Sequence, residues 1–171
     1  ALNALLPVPR NPAAVVPVLK EACAAHVLVI AYGSELPLSC DTLYYINSND
    51  TLAGEQTAKW LAEKLGGKGN IVMGTGVPGT SADTQRNAAA EAVFAQYPGI
   101  KVLAKFPTMW DQATAQKGMT QLLATYGPQI NGVWGQVGLG ILQAYQAAGL
   151  PLVPITGESE NGYRLAIIDP A

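Results

Sequence analysis

Hydrophobic positions along the chain alternate between short continuous runs and stretches with helical spacing. Residues 3–8 read as a short apolar strand stopped at Pro9. Asn11 is a good N-cap and Pro12 a good first helical residue. Beyond them Val15, Val18, Leu19 and Ala22 fall at helical spacing and predict a buried stripe. Residues 27–32 form a nearly continuous apolar run rich in β-branched side chains, which predicts a parallel strand covered on both faces. A Gly-, Ser- and Pro-containing loop follows over 33–40, then a strand over 42–46.

The cluster Asn47-Ser48-Asn49-Asp50-Thr51 offers N-caps for a helix through Leu52, Trp60, Leu61 and Leu65, stopped at Gly66-Gly67. Three further strands begin near Asn70, Ile100 and Ile130, about 30 residues apart, the length of a β-α unit. Ser81 or Asp83 is read as the cap of the helix that runs to Tyr97, and Asp111 as the cap of the next. A helix over 137–148 closes at Gly149, and residues 152–155 form the last clear strand. The pattern predicts an α/β fold of parallel sheets flanked by helices on both faces. Its rhythm breaks once, where strands 27–32 and 42–46 follow each other without a helix. The chain is expected to pass between two lobes at the polar run 47–51 that follows.

Composition narrows the function. Of 171 residues, 49% are apolar and only 13% charged, against about 25% charged in an average domain. Ten Lys and Arg face twelve Asp and Glu, without a basic run, so the positive footprint of a nucleic-acid binder is missing. No apolar run approaches the ~20 residues that span a bilayer. The chain lacks an initiator Met and a leader pattern, and both ends read as cut. His26 is the single histidine; it is expected at a strand entrance, partly buried and hydrogen-bonded, with no partners for a metal site. Cys23 ends a helix near the start of strand 27–32 and Cys40 follows that strand. A six-residue strand spans about 20 Å and bridged Cα atoms lie within about 7 Å, so the two thiols are expected to be free.

Gly74-Thr75-Gly76-Val77-Pro78-Gly79 fits the glycine pattern of a dinucleotide-binding turn between strand and helix. The ribose-binding acid that should end the next strand is absent, since that strand closes Ala104-Lys105-Phe106-Pro107. Pro78 also removes one backbone donor from the cradle. No nucleotide cofactor is therefore expected. A nucleotide-dependent enzyme using this turn remains the contrasting hypothesis. Asp50, Asp83 and Asp111 each stand at a helix start, where capping accounts for them.

The series Asn49-Asp50-x-x-x-Gly54, Gly79-Thr80-Ser81-Ala82-x-x-x-Arg86, Met109-Trp110-Asp111 and Val133-Trp134-Gly135-Gln136 resembles the type I periplasmic sugar-binding proteins, the ribose-binding branch of ABC-transporter solute receptors. So do the opening Ala4-Leu5-Leu6-Pro7-Val8-Pro9 and the segment Pro154-Ile155-Thr156-Gly157-Glu158. The resemblance spans nearly the whole chain. It implies two lobes, residues 1–48 belonging to one and 49–171 to the other, that close on a sugar or polyol without chemistry, a membrane permease as partner and a periplasmic or lipid-anchored location. It also implies a fragment of a protein nearly twice this length, lacking the first half of one lobe and the final returning segment of the other. Arg86 matches the family's ligand-binding arginine, and Trp110 the ring that stacks on the sugar. Gln136 and Glu158 fall in loops after strands at the same sheet edge, and Ser34 in the interlobe turn. Departures occur at Gly33-Ser34, where ribose binders have Asp-Arg, at Val137 in place of Asn, and at Glu158, one position off the family's Asp. They imply a ligand other than ribose. The effector domain of a LacI-type repressor shares the fold and is the remaining alternative.

Overall fold

The computed structural model describes residues 2–158 and 161–168. Two three-stranded parallel sheets carry the chain. The first has the order β1 (Ala4–Leu5), β2 (Leu28–Tyr32), β3 (Leu43–Ile46), with α1 (Pro12–Ala24) linking the first two strands. The second places β4 (Lys68–Thr75) between β5 (Gly99–Pro107) and β6 (Gly132–Gly135). Its helices are α2 (Asp50–Lys64), α3 (Ser81–Phe94), α4 (Gln112–Tyr126), α5 (Gly138–Ala148) and α6 (Asn161–Ile168). Residues 152–155, read as a strand, contribute one parallel bridge, Ile155 to Val133.

The second sheet is covered on both faces. Strand period two sends Ile71 and Met73 one way and Val72 the other. Ile71 and Met73 pack with Leu61, Phe94 and Trp134 beneath α2 and α3. Val72 packs with Phe106, Met119, Val133, Ile141 and Tyr145 beneath α4 and α5. Full burial of each such side chain contributes about 1.5–3 kcal/mol.

The first sheet differs from expectation. Val29 and Ala31 are buried against α1 through Leu19, but Leu28 and Tyr32 on the other face are exposed, so one face alone is covered. Val18, placed in the buried stripe by spacing, faces outward. His26 is exposed and left-handed (φ 54°), turning the end of α1 into β2.

The free-thiol expectation is overturned: Cys23 and Cys40 form a disulfide, with Cα atoms 6.2 Å apart. The reading let the chain run on past β2. The pairing of β2 with β3 is parallel, with Val29 opposite Leu43. The loop after Gly33 therefore returns along the full strand, and Cys40 arrives beside the end of α1.

Caps follow the sequence with corrections at α2 and α3. Asn11 and Asp111 cap α1 and α4 as expected, and within the cluster 47–51 the cap of α2 is Asn49, not Asp50. Thr80, rather than Ser81 or Asp83, caps α3, its hydroxyl accepting from Asp83 N–H. That leaves the Asp83 carboxylate for another task.

Candidate ligand-binding site

Because β4, β5 and β6 are parallel, their carboxyl ends open onto one edge, where open α/β sheets bind ligands. Four segments meet there: the turn after β4, the loop after β5, the loop after β6 and the stretch after Ile155.

Arg86 projects from α3. Its Nε donates to Asp50 Oδ1 (2.8 Å), its Nη1 to Gln136 Oε1 (3.5 Å), and Nη1 also pairs with Glu158 Oε1. Asp50 opens α2 and takes a second bond from the Ser48 hydroxyl (2.9 Å). The two helices meet closely because position 54 is glycine: a Cβ there would stand 2.3 Å from the Arg86 carbonyl oxygen. The pattern Asn49-Asp50-x-x-x-Gly54 thus supplies a cap, an anion for Arg86 and room for α3.

Trp110 follows β5. Thr108 is fully buried, and its hydroxyl donates to Thr75 O (2.6 Å). Met109 N–H donates to Gly76 O (3.2 Å). These bonds hold Met109 and Trp110 in the left-handed region (φ 58° and 49°), a conformation costly for non-glycine residues that clusters at functional sites. The indole lies on the backbone of Gly76, where a Cβ would come within 2.4 Å of the ring. Its Nε1 donates to Gln136 Oε1 (2.7 Å), and the Arg86 guanidinium carbon lies 5.9 Å from the ring centroid. After Trp110, hydrogen bonds from the Thr114 hydroxyl and amide hold the Asp111 carboxyl below its ordinary value.

The turn that mimics a dinucleotide cradle is built for these neighbours. Gly76 makes way for Trp110, Gly74 for Phe106, Thr108 and Ile141, and Gly79 turns at φ 86°. The Gly76 N–H, which a phosphate would need, already donates to Asp83 Oδ1 (2.6 Å).

Gln136 is the hub. Its backbone N–H donates to Gly74 O (3.0 Å), continuing the sheet. Its Nε2 donates to Asp83 Oδ1 and Asn87 Oδ1, both at 3.1 Å. Beside it lies a cavity of about 520 Å³ lined by Gly54, Thr57, Arg86, Trp134, Gln136 and Glu158, among others. Trp134 is held by a bond from its Nε1 to the Thr57 hydroxyl (2.9 Å).

The structure therefore brings together Arg86, Trp110, Gln136 and Glu158. Trp110 stands outside the cavity lining, joined to it through Gln136 and Arg86. Ser34 is buried against the start of α3, its hydroxyl 3.4 Å from that of Ser81, which also accepts from Glu35 N–H (2.8 Å), and it does not line this cavity. Sequence reasoning missed Asp50, Asp83, Asn87 and Thr57. For Asp50 the signal was the neighbouring cap candidate Asn49; Asp83 gave none, because it was itself read as a cap that the structure assigns to Thr80. Among the described residues, no group of three or more His, Cys, Asp or Glu side chains is placed to hold a metal.

The model of the family described as periplasmic binding protein domain matches residues 1–168. The chain belongs to that family. It is 36% identical over 159 residues to the xylitol-binding protein of Mycolicibacterium smegmatis, covering 91% of this chain and 45% of that protein. It is 28% identical over 152 residues to the ribose import binding protein of Escherichia coli, covering 87% and 50%. Among solved structures, the ABC transporter solute-binding protein of Thermobispora bispora superposes with a TM-score of 0.84 at 31% identity, covering 92% of this chain and 48% of that one. The chain thus spans about half the length of the relatives it matches. The resemblance read from the sequence, and the parallel α/β fold it implied, are both confirmed.

Proposed function

We propose that residues 49–171 form most of one lobe, and residues 1–48 part of the other, of a solute receptor that closes on a sugar or polyol and hands it to a membrane permease. The observation that carries this reading is the convergence of Arg86, Gln136, Trp110 and Glu158 on the carboxyl edge of one parallel sheet, beside a cavity of about 520 Å³. Amide, guanidinium and carboxylate groups serve hydroxyls that both donate and accept. The relatives named for xylitol and ribose support this ligand class.

Charge favours an uncharged ligand. Among the described residues of the site, Arg86 is the one cation, shared between Asp50 and Glu158, and Asp83 adds a third carboxylate. The site is net negative and repels anionic solutes. With Gly76 N–H occupied by Asp83, the nucleotide alternative loses one of its phosphate donors. The Cys23–Cys40 disulfide supports an oxidising, extracytoplasmic compartment. No described helix is long and apolar enough to cross a membrane.

Thermal unfolding of the intact protein against a panel of xylitol, D-ribose, L-arabinose, glucuronate, ribose 5-phosphate and NADH tests the proposal. A ligand at about 100 times its Kd adds about 2.7 kcal/mol, roughly a 3–5 °C rise for a receptor of about twice this length. The reading predicts that rise for at least one neutral compound and none for the anions. Stabilisation by NADH alone would contradict it.

A further inference from the structure

We infer that Asp83 is a positioning residue that locks the side-chain amide of Gln136, and through it the Trp110 indole, into the geometry of the ligand wall. This rests on the reading of that wall given above.

The argument starts from hydrogen-bond capacity. Gln136 carries one acceptor face and one donor face, and its amide can present either in a given direction. On one side stand Trp110 Nε1 and Arg86 Nη1, at 2.7 and 3.5 Å. Both groups only donate, so the atom they meet is the oxygen. On the other side stand Asp83 and Asn87, each 3.1 Å from Nε2. Asn87 is an amide and serves either orientation. Asp83 as a carboxylate only accepts, so it alone on this side dictates which end of Gln136 faces it.

Asp83 also removes the ambiguity of Asn87. The Asn87 Nδ2 donates to Asp83 Oδ1 (3.0 Å), which turns Asn87 Oδ1 toward Gln136. One oxygen of Asp83 thereby takes three donors: Gly76 N–H at 2.6 Å, Asn87 Nδ2 and Gln136 Nε2. Asp83 is buried, where a charge-assisted bond is strong and an unmet partner costly. The Gly76 bond ties the same oxygen to the backbone on which the Trp110 ring rests. Asp83 therefore fixes the platform under the indole and the acceptor at its edge together. Capping does not explain its placement, because Thr80 performs that role.

The test needs no ligand, so it fails or succeeds independently of the ligand reading. Proton exchange with water is followed at the indole N–H of each tryptophan by 15N NMR, with signals assigned from Trp60→Phe, Trp110→Phe and Trp134→Phe. Trp134 is the internal control for folding, since its Nε1 bonds Thr57 without Asp83. Asp83→Ala is expected to speed exchange at Trp110 by at least about tenfold, the scale of one hydrogen bond to a charged acceptor, with Trp134 unchanged. In Asp83→Asn the Gly76 N–H, which only donates, turns the amide oxygen to the place of Asp83 Oδ1, where it still accepts from Gln136 Nε2, so slow exchange is expected to be restored. Should Asp83→Ala not fold, Asp83→Ser, with a shorter side chain, is read in the same way. Unchanged exchange at Trp110, equal acceleration at Trp110 and Trp134, or no rescue by Asp83→Asn would each overturn the inference.

Discussion

Replacing Arg86 by Ala removes the cation that a buried carboxylate faces. The side chain of Asp50 is 5% exposed and that of Arg86 16%, with Nε 2.8 Å from Oδ1. Breaking a buried pair from one side costs about 3–5 kcal/mol, mostly because the other charge stays behind. Two features soften that figure. Asp50 keeps the Ser48 hydroxyl and sits in the first turn of α2, where the helix dipole favours an anion by about 0.3–1 kcal/mol. Glu158 is half-exposed, so its share of the pairing is worth no more than about 1 kcal/mol. The net expectation is a loss of about 2–4 kcal/mol for Arg86→Ala. Adding Asp50→Asn removes the stranded charge, so the double variant should be about 1–3 kcal/mol more stable than the sum of the singles. Urea unfolding of wild type, both singles and the double gives all four corners. A loss below about 0.5 kcal/mol for Arg86→Ala, with no coupling, would refute the claim that this pair joins α2 to α3.

Gly54→Ala would raise helix propensity by about 1 kcal/mol if the site were open. The Arg86 carbonyl, 2.3 Å from the added Cβ, should instead make it destabilising by about 1–3 kcal/mol, so the sign of the change in Tm decides. Tyr145 is buried, its hydroxyl meets no partner among the described residues, and burial pushes its pKa up to about 12. The unfolded chain then releases this proton first, so stability should fall between about pH 10 and 12, and Tyr145→Phe should flatten that fall at little cost near neutral pH; an identical pH profile for the variant would contradict this. Opening the 17-position disulfide loop with Cys23→Ser and Cys40→Ser should cost about 3 kcal/mol by loop entropy, read as a lower urea midpoint, and an unchanged midpoint would show that the bridge contributes nothing.

The alternation of runs and helical spacing located the elements well, because β4 and the helices around it are amphipathic or fully buried in the expected periods. It misjudged the first sheet. The run at 27–32 is apolar at every position, and only the paired strands and helices decide which face is covered. It misplaced Cys40 because parallel pairing of β2 with β3 makes residues 33–40 return along the strand, a consequence of the predicted parallel sheet that was not carried through to this loop. In the site, Arg86 and Trp110 were legible through spaced motifs. Gln136 and Glu158 were legible as loops after strands. Asp50 and Asp83 were hidden behind a sufficient local explanation, helix capping, which the structure assigns to Asn49 and Thr80. Ser34 was placed by its neighbours in sequence, and its hydroxyl meets Ser81 at the start of α3.

The central claim is that the wall built around Arg86, Gln136 and Trp110 binds a neutral polyhydroxylated solute. Calorimetric titration of the intact protein and of Trp110→Ala with xylitol and D-ribose, each paired with a melting curve, tests it most directly. The account predicts saturable binding by the wild type to at least one of them. It predicts weakening by about 1–3 kcal/mol in the variant, because the indole that holds Gln136 Oε1 and flanks the Arg86 guanidinium is gone, with a melting temperature close to that of the wild type. Unchanged affinity together with a large fall in melting temperature would show that Trp110 serves packing alone and that the ligand lies elsewhere.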